Sequence, residues 1–335
     1  MADLVSTIET VFPQKTVVVV GDLVADQFLS GTISRVSREA PVFIMRHEKT
    51  VTLPGAAANA AANAAALGGK ALAIGIIGTD GNGSKLMAAL TDADVNIDGV
   101  IVDPGIATTT KVRVLAGREF ATKTQVIRID YEAGKELPAH FEHMVRERLA
   151  QAAQQADVII VSDYDYGTVT AAVFDDAVRI ADERGIPLVV DSRFRLEKFP
   201  GATSATPNRE EVEQILGTSF GARDCESLRE RLGFEALIVT NGNQGMTVHR
   251  KGHDVQDIPA VGSTTAVDVT GAGDTVIAAY ALSLASGVDH GSAAELANHA
   301  GGIVVMKKGT AIATPMELIE SIRRYGSSAT ASKGI

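Results

Sequence analysis

Short, continuous apolar runs rich in β-branched residues recur along this chain with helix-like stretches between them. Thr16–Val20 (TVVVV), Ala71–Ile77 (ALAIGII), Asp157–Val161 (DVIIV), Pro187–Val190 (PLVV) and Ala236–Thr240 (ALIVT) lack the alternation of a half-exposed strand. They read as strands covered on both faces. Ala56–Leu67, Ser84–Asp92, Ala139–Gln155, Thr170–Arg184 and Arg209–Leu216 carry the helical period between them. Strand, helix, strand at this spacing predicts βαβ units and an α/β fold with a mostly parallel sheet. Two regions break the rhythm. Leu29–Glu48 and Thr108–Asp130 alternate, as in TKVRVLAG and QVIRID, and are expected to form a small accessory sheet of antiparallel strands. The 335 residues allow one large domain or two smaller ones, and no internal repeat divides them. The closing GSSATASKGI is polar and small, and disorder is expected there.

The remaining composition excludes several classes. A formal charge of −10 argues against sequence-independent nucleic-acid binding, which relies on clustered cations. The single cysteine, Cys225, cannot form an intramolecular disulfide, and its segment GARDCESLRERLG reads as a surface helix. The first residues lack a basic-then-apolar leader and no apolar run reaches the ~18 residues of a membrane span, so a cytoplasmic location is expected. The first strand leads into VVVVGDLVAD, with one glycine and no G-x-G-x-x-G fingerprint, which disfavours a nicotinamide dehydrogenase. The P-loop pattern G-x-x-x-x-G-K-[ST] is also missing.

What remains is Asp268-Val269-Thr270-Gly271-Ala272-Gly273-Asp274-Thr275, followed by the apolar run VIAAYALSLASG. Small residues at a helix start leave backbone N–H groups accessible, and the helix dipole adds partial positive charge. Gly271, Ala272 and Gly273 are therefore expected to expose three amides to an anion. Asp274 then stands inside the first helical turn, where it would repel a phosphate unless it has other work. Taking a proton from an attacking alcohol is such work. A helix-dipole carboxylate at Asp274 and a cap at Asp268 explain the same residues, and the local pattern leaves both readings open.

This stretch resembles the C-terminal signature of the ribokinase/PfkB family of carbohydrate kinases. The likeness runs over nearly all of residues 14–320. Within the family it is most similar to the kinase domain of ADP-heptose synthases, which phosphorylate a heptose 7-phosphate at C1. The passages that carry it are VVVVGDLVADQF, ISRVSREAPVF, LPGAAANAAANAAALG, TKVRV, QVIRIDYE, VSDYDYG, TPNREE and ANHAGGIVVMKKGT. The resemblance implies a ribokinase-like three-layer α/β/α body with a small β lid. It implies ATP and Mg²⁺ as cofactors, potassium as a monovalent ion, and a sugar phosphate as acceptor.

It also implies roles. Asp274 would be the general base, and the Gly271, Ala272 and Gly273 amides would stabilise the transferred phosphoryl group. Asp268 and Thr270 match a monovalent-cation site. Asn208 and Glu211 match an N-x-x-E element that holds Mg²⁺ largely through water, although PNREE is equally a capped helix start. Thr240, Gly242, Gly245 and Asn298 match the nucleotide site, where T-x-G-x-x-G is by itself a common turn. Asp26, Gly55 and Asn59 match sugar-binding positions, and Asp163 falls in the loop beside the acceptor. Arg35, Lys111, Arg113 and Arg128 lie on the accessory segments. They fit an anionic acceptor, and solvated strand faces would explain them as well.

Several positions depart from the heptose-kinase pattern. Gly55-Ala56 replaces a glycine pair, Asp163-Tyr164-Asp165-Tyr166-Gly167 lacks a lysine, and Asp191-Ser192-Arg193 replaces Asp-Pro-Lys. AGREFATKT lengthens the lid loop. Ribose, fructose or fructose phosphate therefore stay open as acceptors, as does a non-catalytic sensor on the same fold. The expectation is one kinase domain over 1–325, a homodimer pairing through lid strands, and a separate protein for any nucleotidyl transfer.

Overall fold

The computed structural model describes residues 2–326 except 119–122, 133, 135–136 and 264. All but the first residue of the polar tail expected at 326–335, and the middle of the lengthened lid loop, therefore lie outside the described residues. Among the described residues, thirteen strands occur in chain order: β1 Thr16–Gly21, β2 Leu23–Val36, β3 Phe43–Ala56, β4 Lys70–Gly78, β5 Asn96–Asp103, β6 Thr110–Gly117, β7 Thr124–Tyr131, β8 Val158–Asp163, β9 Leu188–Ser192, β10 Ser204–Ala205, β11 Ala236–Thr240, β12 Met246–Arg250 and β13 Gln256–Ile258. The α-helices are α1 Ala2–Ser6, α2 Ala57–Ala66, α3 Gly81–Asp92, α4 Ala139–Ala152, α5 Ala171–Arg184, α6 Arg209–Leu216, α7 Ala222–Leu232, α8 Ala272–Ala285, α9 His290–Val304 and α10 Pro315–Tyr325.

The main sheet has the order β13-β12-β11-β10-β9-β8-β1-β4-β5 and is parallel from β11 to β5. Its central strands are buried on both faces, as their unbroken apolar runs require. Val17, Val19 and Ile160 pack with α2, α8 and α9 on one side; Val18, Val20 and Ile159 pack with α4, α5 and α7 on the other. Helix α2, AANAAANAAA, is buried almost all round, and so is most of α8. Alanine explains how both fit, since short side chains let two helices and a sheet approach closely. Helix α4 instead buries one stripe, Phe141, Val145 and Leu149, at i, i+4, i+8 spacing. Cys225 sits on α7 as expected, but its side chain turns inward, and burial pushes the thiol up to about 11. It is a core residue.

The accessory sheet has the order β3-β2-β6-β7. The expectation of purely antiparallel pairing fails at its centre. β2 pairs with β3, and β6 with β7, antiparallel, but β2 and β6 run parallel. Both leave the main body at the same edge, β2 directly after β1 and β6 after β5, so they depart in the same direction. The strands also begin deeper in the body than the alternation indicated, with Leu23 paired to Ala56. That depth brings Asp26 and Lys111, register partners, to the mouth of the body.

Gly21 marks the end of β1, where a Cβ would come within 2.0 Å of the Ser162 carbonyl oxygen and 3.1 Å of the Ala57 methyl. Neither neighbour is a flexible side chain. Gly21→Ala is therefore expected to lower stability by about 3 kcal/mol, read as a reduced urea midpoint without a change in slope.

Candidate active site

The carboxyl ends of β1, β8, β9 and β11 share one edge, and the first residues beyond them meet the N-terminus of α8. Two adjoining clefts lie there. A polar cleft of about 260 Å³ is lined by Asp26, Lys111, Arg113, Tyr164, Asp191, Arg193, Asn208, Glu211, Thr270, Gly271 and Asp274, among others. A more apolar one of about 530 Å³ is lined by Gly242, Gly245, Met246, Val261, Val276, Asn298 and Val305. Thr240, Val269 and Gly273 border both. The GAG turn thus forms the boundary between them.

At the turn, Gly271 has φ +77°, and a Cβ there would lie 2.5 Å from the Asn59 amide nitrogen. Only glycine fits both conditions. The expectation of three available amides fails at Ala272, whose N–H donates to the Val269 carbonyl at 3.2 Å. Gly271 and Gly273 remain on the cleft wall.

Asp274 is 4% exposed. The Asn59 amide donates to its Oδ2 at 2.7 Å and the Tyr164 hydroxyl to its Oδ1 at 2.8 Å. Asn63 holds Asn59 in turn, donating to its Oδ1 at 3.0 Å, and accepts from the Thr275 hydroxyl at 2.9 Å. Burial pushes the Asp274 carboxyl up to about 6, against the opposing pull of the Asn59 and Tyr164 donors. The Tyr164 phenol is held well above its usual range by burial and by the Asp274 charge, so it stays a donor. A carboxylate so poised can take up a proton near neutral pH.

The other expected residues divide. Asp26 is buried at the cleft and faces the Arg113 guanidinium at 3.5 Å. Burial raises its carboxyl despite Arg113 and Lys111. Gly55 packs directly on that carboxylate, where a Cβ would lie 3.0 Å from it. Asn59 is engaged with Asp274 rather than open to the cleft. Asp163 is fully buried behind the cleft, accepting from Ser192 at 2.7 Å and paired with Arg195. Arg35 sits exposed at the outer end of β2, roughly 30 Å along the strand from Asp26. Arg128 pairs with Asp130 at 2.9 Å on the exposed strand β7. The structure therefore does not bring Asp163, Arg35 or Arg128 into the cleft.

Asn208 and Glu211 line the cleft and also form the capping box of α6, with reciprocal bonds of 3.0 and 2.8 Å. Burial pushes Glu211 up to about 7, and burial with the neighbouring Glu211 and Asp274 charges pushes Asp191 well above the carboxylate range. Asp268 accepts from the Thr270 amide at 3.0 Å and the Gly309 amide at 2.9 Å. Although burial opposes it, those donors hold its carboxyl below the usual value. Thr240, Gly242, Gly245 and Asn298 line the apolar cleft, where the Asn298 amide donates to the Pro259 carbonyl at 2.8 Å. Tyr164, Asp191 and Arg193 were not singled out as site residues. Each lies at the end of β8 or β9 or one residue beyond, so the carboxyl-edge rule was the signal that could have found them.

A family model described as pfkB family carbohydrate kinase matches residues 14–317. The chain belongs to the pfkB family of carbohydrate kinases. Among curated relatives, it is 38% identical over 331 residues to Bifunctional protein HldE of Caulobacter vibrioides, covering 95% of this chain and 65% of that protein. It is 37% identical over 312 residues to the protein of the same name from Geobacter sulfurreducens, covering 91% and 62%. The chain thus spans somewhat under two thirds of the length of these relatives. In fold, it is similar to Arabidopsis thaliana ribokinase complexed with ribose and ATP, with TM-score 0.69 and 19% identity over 92% of this chain and 98% of that one. It is likewise similar to Escherichia coli phosphofructokinase-2 in complex with substrates and products, with TM-score 0.74 and 17% identity over 93% and 99%. The expected ribokinase-like α/β fold and the family resemblance are borne out, and the chemistry of the pfkB family is phosphoryl transfer to a sugar hydroxyl. Among the described residues, no helix is long and apolar enough to cross a membrane.

The buried Asp274 of this pfkB kinase has a stability consequence. Its pKa is 3.8 unfolded and about 6 folded, so the folded state binds the proton more tightly. That contribution is complete below pH 4 and disappears as pH rises through 6. Asp274→Asn should therefore flatten the fall in stability between pH 4 and pH 7 by about 2–3 kcal/mol, measured by urea unfolding of both proteins across that range.

Proposed function

We propose that the protein is an ATP- and Mg²⁺-dependent kinase that phosphorylates D-glycero-β-D-manno-heptose 7-phosphate at C1, with Asp274 as general base. The observation that carries the catalytic part is the buried Asp274 carboxylate, held by Asn59 and Tyr164 at the boundary of a polar and an apolar cleft. The acceptor occupies the polar cleft and the nucleotide base the apolar one, with the phosphates passing the GAG turn. The acceptor hydroxyl oxygen bonds to the γ-phosphorus as the bond to the β–γ bridging oxygen breaks. The hydroxyl proton goes to the Asp274 carboxylate. The Gly271 and Gly273 amides and the α8 dipole stabilise charge on the phosphoryl oxygens. Closure of the β2–β3 and β6–β7 lid strands keeps water from competing as acceptor.

The donor set fits a divalent cation on the phosphate side. Asp191 and Glu211 both have raised pKa values, and a cation would relieve their repulsion. Glu211 and Asn208 would hold Mg²⁺ through water, where it would neutralise phosphate charge. Near Asp268, the buried Thr310 hydroxyl has no hydrogen-bond partner among the described residues, and its methyl group packs beside Gly271. That supports a monovalent cation, potassium, bound by Asp268 and Thr270 and steadying the turn.

The acceptor assignment rests on three cations at the polar cleft, Lys111, Arg113 and Arg193, and on the motifs shared with the heptose kinases. An anionic sugar suits such a wall. Arg35 and Arg128 stand outside it and are left out of the acceptor site. Exposed Val126, Ile127, Ile129 and Tyr131 on β7 support pairing of the lid in a homodimer.

Asp274→Asn is expected to lower kcat by about 10³-fold or more while ATP still binds with parental affinity in a calorimetric titration. Near-normal turnover would refute the base assignment. A coupled ADP-release assay with heptose 7-phosphate, fructose 6-phosphate, fructose and ribose tests the acceptor. In the same assay, kcat/KM should fall below an apparent pKa near 6. Tyr164→Phe removes a donor to the charged carboxylate, so its acid limb should move to higher pH.

A further inference from the structure

The loop after β8 reads Asp163-Tyr164-Asp165-Tyr166-Gly167 and places two tyrosines beside one lysine of the lid. The Lys111 ammonium lies 5.3 Å from the Tyr164 ring centroid and 5.5 Å from that of Tyr166. Both distances lie within the reach of a cation–π contact. Tyr164 is anchored by its hydroxyl on Asp274. The Tyr166 hydroxyl donates to the Glu132 carboxylate at 3.2 Å, just beyond the end of β7. The loop backbone is itself fixed, since the buried Asp22 carboxylate accepts from the amides of Tyr164, Tyr166 and Thr168 at 2.8, 3.1 and 3.1 Å. Two rings from the body thus grip a cation from the lid, and one ring is tied back to the lid.

We propose that Tyr166 is a positioning residue for acceptor binding: with Tyr164 it clamps Lys111 between two rings and holds its ammonium at the acceptor end of the polar cleft. An unclamped lysine on a strand of this lid would sample many rotamers. The alternative partners are close. Asp26 is its neighbour in the β2–β6 register and Asp130 its neighbour in β6–β7. A direct ion pair with either would turn the ammonium toward a carboxylate and away from an incoming anion. Ring faces attract the ammonium without neutralising it, so its charge stays available. Arg113 and Arg193 line the same cleft, and with Lys111 they make a fixed cationic wall. Because Lys111 belongs to the lid and the rings to the body, the clamp also makes acceptor binding depend on lid position. The inference rests on the kinase reading for its substrate, whereas the clamp itself can be observed without one.

The test combines a spectroscopic and a kinetic readout on the full chain. In protein labelled with [ε-carbon-13]lysine, ring currents should move the Lys111 ε-methylene protons upfield, the signal being assigned by its loss in Lys111→Met. Tyr166→Leu should return that signal toward the bulk lysine position, and Tyr166→Phe should keep most of the displacement. Kinetically, Tyr166→Leu should raise KM for the turned-over sugar phosphate about tenfold, with kcat and the KM for ATP within twofold of parent. Tyr166→Phe, which retains the ring, should recover most of that affinity. An upfield displacement as large in Tyr166→Leu as in the parent overturns the clamp. A lost signal with unchanged acceptor KM, or equal losses in kcat and ATP affinity, overturns the positioning role. If the parent turns over only uncharged sugars, the heptose-phosphate reading falls, and an unchanged KM for that sugar in Tyr166→Leu then overturns this one separately.

Discussion

The hydrogen bond from Asn59 to Asp274 joins the first turns of two helices that are 215 residues apart in sequence. It fixes where α2 and α8 meet, and the geometry of both clefts follows from that contact. Both helices are alanine-rich, so nothing bulky keeps them apart, and Gly271 lacks the Cβ that would strike the Asn59 amide. Asn63, one turn further along α2, continues the link to Thr275. A buried carboxylate is costly to leave unpaired. Here the donors that satisfy it come from α2 and from the loop after β8, so the same bonds that stabilise the charge also assemble the cleft.

Charge is distributed unevenly around that point. Asp26, Asp191, Glu211 and Asp274 all have pKa values raised above the ordinary range, chiefly by burial. Four carboxylates converging at the edge of a sheet are an electrostatic load on the folded state. Lys111, Arg113 and Arg193 offset only part of it. Stable folding alone would favour apolar residues at such positions. Retaining the carboxylates therefore favours a role with cations and phosphates over a purely structural one, and it accords with the chemistry of the pfkB family.

The parallel sheet was legible because its signal is local. Strands such as TVVVV and DVIIV are buried on both faces, and no other common element gives an unbroken β-branched run of that length. The lid's alternation was legible too, but its parallel β2–β6 pairing was not, because strand direction depends on where each connection leaves the body. At the site, DVTGAGDT marked the glycine-bearing start of a helix at a cleft. It could not reveal that the Ala272 amide is already bonded to Val269, which depends on the turn's backbone angles. Arg35 and Arg128 illustrate the main source of error. Alternation assigns a residue to a lid strand without saying where along the sheet, or across it, the cleft ends: Arg35 lies beyond it along β2, whereas Arg128 is level with Arg113 but one strand further out, on exposed β7.

Ala56 connects these points. It has φ +53°, in the left-handed region where an L-residue is strained, and it stands directly before α2 on the lining of the polar cleft. A glycine would adopt that angle without strain. The neighbouring Gly55 is already pressed against the Asp26 carboxylate. An alanine held in such a conformation costs on the order of 1 kcal/mol, and it persists because the Ala57 amide is bonded to the Asp22 carbonyl at 3.1 Å. That bond and the Asn59–Asp274 bond fix the entry to α2 from both sides, leaving the turn no room to relax. Ala56 lines the polar cleft together with Asp26 and Lys111. The wall of the polar cleft is therefore built by the backbone entering α2 as well as by the charged side chains that line it.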